Sequence, residues 1–228
     1  MKPAVATPPH GPFRTIWFDL DATLYGPDTG LWEEIGSRIE RYLREVLRFP
    51  PDILRAIKRD YYLRYGTTLR GLQLNDQVDP DDYLQFVHDI PLQNYLAPDP
   101  ELRALLLDLP QQRWVFTNSD RKHAERVLDA LGIADCFTGC ITVESIDYQC
   151  KPNSEAYSAA LRISGEENYE NVLFLDDSDR NLAGAHALGV FTVLVGTTDQ
   201  NPEADLSIRR PHDLLAALPS LRHLNGKS

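Results

Sequence analysis

Cysteine is scarce, with three residues in a chain of 228. Cys136, Cys140 and Cys150 are odd in number and form no Cys-x-x-Cys pair, so neither a disulfide framework nor a zinc site is indicated. Three reduced, buried thiols in a cytoplasmic protein are expected. Long apolar runs are missing too, which excludes a membrane span and the hydrophobic segment of a signal peptide. Residues 1–12 hold four prolines and read as a mobile leader. Positive charge falls short: 23 Lys and Arg face 34 Asp and Glu, a net charge of −11. Most of such a surface repels a nucleic-acid polymer, whereas local cations can still hold a small phosphate ester. The six histidines, His10, His88, His123, His186, His212 and His223, show no ligand spacing and are assigned to no metal.

What is present is an ordinary globular composition, 43% hydrophobic and 25% charged, with length enough for one main domain carrying an inserted lobe. The chain turns on Ile16-Trp17-Phe18-Asp19-Leu20-Asp21-Ala22-Thr23-Leu24. An apolar run there reads as a buried strand beginning near Phe13, and it stops at two carboxylates one residue apart. In an open α/β sheet, ligands bind beyond the carboxyl ends of the strands. Alternation sends Asp19 and Asp21 to the same side, where their charges repel unless a cation lies between them or one stays protonated. Magnesium would remove that conflict.

From Tyr25 to about Leu109 the periodicity is helical. Trp32, Ile35, Ile39, Tyr42, Leu43 and Val46 mark one amphipathic helix, and Ile53 to Tyr65 a second. Asp79-Pro80-Asp81-Asp82 predicts an N-cap with proline in the first turn of a helix through Val87. Between Leu31 and Arg70 nine basic residues outnumber six acidic ones, against the trend of the chain; a solvated face with i,i+4 pairs accounts for most of them.

Three further strand ends carry polar groups. Trp114-Val115-Phe116 ends in Thr117-Asn118-Ser119-Asp120, before a helix from Arg121 to Leu131 closed by Gly132. The Thr117 hydroxyl and the N–H groups of that turn make a neutral cradle for an anion. Ile141-Thr142-Val143 predicts a strand, and Lys151-Pro152 then opens a helix from Asn153 to Ile163. Proline holds the lysine out of αR geometry, so its ammonium is aimed from a defined backbone. Val172-Leu173-Phe174-Leu175 ends in Asp176-Asp177, a carboxylate cluster suited to a hard cation. A helix from Ser178 to Leu188, a strand from Val190 to Val195 and a helix from Pro211 to Leu218 complete the pattern. The fold class is α/β, a doubly wound parallel sheet. A Rossmann-like core of 13–24 and 110–228 is expected, with an inserted helical cap of 25–109.

Asp19-Leu20-Asp21-Ala22-Thr23-Leu24, Thr117-Asn118, Lys151-Pro152 and Asp176-Asp177, in this order, resemble the four motifs of the haloacid dehalogenase-like phosphatase superfamily. The usual glycine after the second aspartate is Ala22 here. Tyr61-Tyr62-Leu63-Arg64-Tyr65-Gly66-Thr67-Thr68-Leu69-Arg70-Gly71-Leu72 is similar to the pyrimidine 5′-nucleotidase branch, which implies UMP or CMP as substrate. Tyr25, Trp32, Tyr61, Tyr62 and Tyr65 could supply a stacking surface.

The resemblance implies an aspartyl-phosphate on Asp19, with Asp21 as general acid and then base. It implies Mg2+ on the carboxylates of Asp19 and Asp177 and the backbone carbonyl of Asp21, with Asp176 behind them. Lys151, Thr117 and the Asn118 amide would share the charge of the transferring group. A dehalogenase on this fold is expected to lack the second acid, so Asp21 argues against one. A non-catalytic relative would be expected to lack one of Asp19, Asp21, Lys151 or Asp177, and all are present. A phosphomutase, or a phosphatase of a sugar phosphate or another small ester, would keep the same core. Oligomeric state is not legible.

Overall fold

The computed structural model describes residues 13–222; the expected leader, residues 1–12, lies outside them. Six parallel strands form one sheet: β1 (Thr15–Phe18), β2 (Gln112–Phe116), β3 (Gly139–Ile141), β4 (Val172–Asp176), β5 (Phe191–Val195) and β6 (Leu206–Ile208). Their spatial order is β3-β2-β1-β4-β5-β6, the doubly wound arrangement. Alternation along the central strands explains the core. Ile16, Phe18, Leu173, Leu175, Val193 and Val195 join one apolar cluster, while Trp17, Phe174, Val172 and Leu194 join another on the opposite face. Both faces are covered, so these strands read as nearly continuous apolar runs.

Five helices stand between β1 and β2: α1 (Leu31–Glu45), α2 (Leu54–Tyr65), α3 (Thr68–Asp76), α4 (Pro80–His88) and α5 (Pro100–Asp108). The first four pack on one another. The fifth lies instead against turns at Ala134–Cys136 and Pro211–Asp213, tied by Arg103 to Asp135 and by His212 Nε2 to Asp99 Oδ2 at 2.9 Å. Asp79 caps α4 by accepting from the N–H groups of Asp81 and Asp82, as the Asp-Pro motif predicts. Beyond β2 come α6 (Arg121–Leu131), α7 (Ser154–Ile163), α8 (Asp179–His186) and the short α9 (Leu214–Ala217). Asp120 caps α6 through His123 N–H, and Gly132 ends it at φ 69°.

Three sequence expectations shift. The strand read at Ile141–Val143 is β3, ending at Ile141, because Thr142 opens a 3-10 turn whose Ser145 hydroxyl accepts from Thr142 N–H at 2.9 Å. The last helix is broken into 3-10 and α pieces around Leu214–Ala217. All three thiols are free, but Cys140 is only half-buried, at the β3 edge of the sheet.

Gly66 ends α2 at φ 90°, and a Cβ there would come within 2.6 Å of the Lys151 carbonyl oxygen. The helical segment thus touches the backbone that carries Lys151. Gly165, at φ 75°, has nothing within 4 Å of its missing Cβ and pays only the backbone term on substitution. Gly66→Ala is therefore expected to destabilise by about 2 kcal/mol more than Gly165→Ala, through overpacking against a carbonyl that cannot move aside. Urea unfolding of the two variants measures the difference; equal midpoint shifts would show that the contact yields.

Candidate active site

The strand order reverses between β1 and β4, and the crevice at their carboxyl ends collects the polar residues singled out above. Asp19 extends the β1–β4 ladder by donating its N–H to Leu175 O at 2.8 Å, Asp176 ends β4, and Asp177 follows it. Lys151, 1% exposed, points its ammonium between them. Nζ lies 2.6 Å from Asp19 Oδ1, 2.8 Å from Asp176 Oδ2 and 2.8 Å from Phe116 O. An ammonium has three N–H donors, and these three acceptors use all of them. The rings of Phe116 and Phe174 lie 5.1 and 5.0 Å from the same nitrogen and shield it from water. Burial works against the charge, but Asp176 and Asp19 outweigh it and raise the lysine above its ordinary range.

Asp176 is fully committed to this frame. Its carboxylate also accepts from Ser178 N–H and the Asn181 amide, so it positions Lys151 rather than facing the crevice. Asp19, Asp176 and Asp177 bring ligand oxygens within 4.8 Å of one another. One ammonium against three carboxylates leaves an excess of two negative charges, the complement of a divalent cation. Burial, set against Lys151, and the charges of Asp176 and Asp177 push Asp19 well above the usual carboxylate range; burial and Asp176 raise Asp177 to about 7. A hard cation among these oxygens would reverse both shifts, so the donor set fits magnesium.

The carboxylate of Asp21 stands outside that group and turns the other way. Tyr25 OH donates to Oδ1 at 2.7 Å, His123 Nε2 lies 2.8 Å from the same oxygen, and Ser119 Oγ donates to Oδ2 at 2.6 Å. The Asp21 carboxylate is thus held by three protein partners, apart from the three-carboxylate group. Burial opposes ionisation here, yet His123, Ser119 and His88 more than offset it and hold the carboxyl well below its ordinary range.

Thr117 is buried, its Oγ accepting from Ser119 N–H at 3.0 Å. The Asn118 side chain bonds the Lys151 backbone in both directions, Nδ2 to O at 3.1 Å and Oδ1 from N–H at 2.8 Å. Its side-chain amide therefore fastens the Lys151 loop. Ala22 sits at φ 60°, a left-handed position that explains the usual glycine.

A cavity of about 480 Å³ opens between this crevice and α1–α4. Asp19, Asp21, Thr117, Asn118, Lys151 and Asp177 form its floor; Trp32, Ile35, Ile39, Leu84 and Val87 form an apolar wall, with Arg55, Lys58 and Arg59 also lining it. Of the aromatics expected to stack on a base, Trp32 and Tyr62 line the cavity. Tyr25 is held on Asp21, Tyr61 donates to Asp76 Oδ2 at 2.8 Å, and Tyr65 packs edge-on against Tyr61. The solvated-face reading holds for Arg41 with Glu45 and Arg64 with Asp60. It fails for Arg38, which donates to Phe86 O.

Tyr25, Ser119 and His123 were missed as partners of Asp21. One signal existed: His123 interrupts the apolar stripe of Ala124, Val127, Leu128 and Leu131 on α6, where a buried polar ring needs a partner.

Fold and site define an α/β protein of doubly wound topology whose carboxylates and buried lysine meet at the switch point. Residues 13–189 match the haloacid dehalogenase-like hydrolase family, and the chain belongs to it. It is 33% identical over 215 residues to phosphate metabolism protein 8 of Saccharomyces cerevisiae, covering 87% of this chain and 66% of that protein. The chain thus spans just under two thirds of that relative. Glyceraldehyde 3-phosphate phosphatase of Methanopyrus kandleri is 26% identical, covering 91% of this chain and 98% of that protein. The structure superposes on the HAD-hydrolase YfnB of Bacillus subtilis bound to magnesium with a TM-score of 0.62 at 17% identity, covering 91% of this chain and 99% of that one. Among the described residues no helix is long and apolar enough to cross a membrane.

Proposed function

We propose that the chain is a magnesium-dependent phosphomonoesterase working through an aspartyl-phosphate on Asp19. The observation that carries this is the saturated Lys151 ammonium beside Asp19, with Asp177 completing a three-carboxylate group and Asp21 held separately a few residues away. The names of the yeast and archaeal relatives point to phosphate chemistry as well. Asp19 and Asp177 would hold the cation by carboxylate oxygens and Asp21 by its backbone carbonyl; when bound, it supplies charge neutralisation at the transferring phosphoryl group.

A carboxylate oxygen of Asp19 attacks phosphorus, the bond to the ester oxygen breaks, and a proton taken up by Asp21 when the phosphate anion binds beside it passes to that oxygen. Water then attacks the aspartyl-phosphate, its proton passes to Asp21, and phosphate leaves with the Asp19 carboxylate restored. Lys151 would offset the developing charge through its field, its three donors being held by Asp19, Asp176 and Phe116, while the Thr117 hydroxyl and the Asn118 backbone N–H would donate to the transferring group. Of the inserted residues 25–109, α1–α4 act as the cap and close the cavity against water, while α5 packs on the core. The free thiols fit a cytoplasmic location.

For substrate we propose a pyrimidine nucleoside monophosphate, UMP or CMP, resting on the Tyr61-to-Leu72 resemblance and on Trp32 and Tyr62 in the cavity. Stacking alone does not choose a pyrimidine, because every base has a π face. Hydrogen bonds to the ring edge must choose, at about 1–3 kcal/mol for a buried group left unpaired, or roughly 5- to 150-fold in kcat/KM. A second reading, a sugar phosphate, is favoured by the name of the archaeal relative, a glyceraldehyde 3-phosphate phosphatase. Phosphate release from UMP, CMP, AMP, GMP, glyceraldehyde 3-phosphate and a hexose phosphate, at subsaturating substrate with magnesium and again after chelation, separates them. Faster turnover of UMP and CMP supports the first reading, and faster turnover of a sugar phosphate the second. Activity that survives chelation removes the metal from the mechanism. Isomerised hexose phosphate in place of free phosphate would mark a mutase.

A further inference from the structure

His88 and His123 take no part in the steps above, yet His123 meets the Asp21 carboxylate and His88, which also lines the cavity, stacks on that ring. His123 is fully buried on α6. His88 ends α4 and lies flat on it, with ring centroids 4.1 Å apart and 18° between the planes. Nδ1 of His88 bonds Asp120 Oδ2, and Asp120 Oδ1 accepts from His123 N–H at 2.9 Å. Arg126, one turn further along α6, donates to His88 O at 2.8 Å and to Ile90 O. A single core helix thus carries the ring that meets Asp21 and grips the end of the inserted helix α4.

Two details argue against a packing role. His123 Nδ1 is buried without a partner, an arrangement that costs about 1–3 kcal/mol and that an apolar ring would avoid. The ring is oriented for Asp21 rather than for its own satisfaction. In addition, a carboxylate offers about four acceptor positions. Tyr25 and His123 occupy Oδ1 and Ser119 occupies one position on Oδ2, which leaves a single one, on Oδ2, for a transferred proton.

We propose that His123 is a positioning residue that keeps this last acceptor position of Asp21 aimed for proton transfer, and that His88 ties the alignment to the seating of α4. The proposal rests on the aspartyl-phosphate reading. The step it serves most directly is the second one: water oxygen bonds phosphorus, the bond between phosphorus and the Asp19 oxygen breaks, and the water proton moves to Asp21.

The test uses para-nitrophenyl phosphate radiolabelled in its phosphoryl group. Its phenolate departs without needing a proton, so Asp21 limits only the hydrolysis of the labelled enzyme. His123→Gln places an amide nitrogen near the position of Nε2, whereas His123→Asn is too short to reach Asp21. In His123→Asn we expect kcat to fall by about 10-fold or more with little change in KM, and the quenched, acid-precipitated enzyme to retain a larger labelled fraction than wild type. His123→Gln should recover most of the loss. His88→Ala should raise the labelled fraction to a lesser degree, and it carries the test alone if circular dichroism shows His123→Asn unfolded. Equal rates and equal labelling in His123→Asn and His123→Gln, or a loss confined to KM, overturn the proposal, as does wild-type labelling in His88→Ala. Absence of label from the wild type and from every variant, in enzyme that still releases phosphate, would instead overturn the aspartyl-phosphate reading.

Discussion

Asp19→Asn is expected to abolish phosphate release from an aryl phosphate, by more than about 10³-fold in kcat. On the proposed mechanism the exchange removes the nucleophile and a cation ligand together while keeping the shape. It also strips Lys151 of one of its two anionic partners; Asp176 and the Phe116 carbonyl remain, so the ammonium stays bonded and the fold is expected to survive. Kinetics on protein of unchanged circular dichroism make the measurement. Retention of more than roughly a tenth of the wild-type rate, a loss of only ~1.4 kcal/mol, would remove Asp19 as the nucleophile.

Asp21→Asn should slow turnover by about 10²–10⁴-fold, the usual cost of a lost general acid and base, and leave magnesium affinity near normal. The geometry sharpens this expectation. Asparagine can still accept from Tyr25 and His123 through its oxygen, and its amide nitrogen can donate to Ser119 Oγ, so the surroundings of the side chain persist while its proton chemistry is lost. Calorimetric titration with magnesium, run beside steady-state kinetics, separates the two roles. A collapse of affinity would mean that the side chain reaches the cation, and proton transfer would pass to another group.

Much of this site was legible because each strand that carries it ends an apolar run abruptly. Asp19, Thr117 and Asp176 follow directly from that pattern, and Lys151 from a proline beside a helix start. The environment of Asp21 was not legible, because Ser119 and His123 reach it from 98 and 102 residues away, where no local spacing connects them. The aromatic wall was overcounted for a different reason. Tyr61 and Tyr65 share one face of α2 at i,i+4, and that face turns toward Asp76 at the end of α3 rather than toward the cavity. The third strand was misplaced by two residues because Thr142 and Ser145 prefer to bond each other, and β6 is too short to show a period.

The strand order has a kinetic consequence as well. β1 lies between β2 and β4, yet the chain leaves it at Phe18 and returns at Gln112, and the partners on its other side begin at Val172. Closing a loop of ~90 residues costs roughly 4 kcal/mol of chain entropy before the first pairing of β1 is formed. Every bond that β1 makes is of this long-range kind, so its sheet interior assembles late unless the intervening chain is already compact. Helices α1–α4 contact one another locally and can provide that compaction, bringing the two ends of a long excursion together before the strands meet. The segment that walls the cavity in the finished protein thereby shortens the path by which its floor is built.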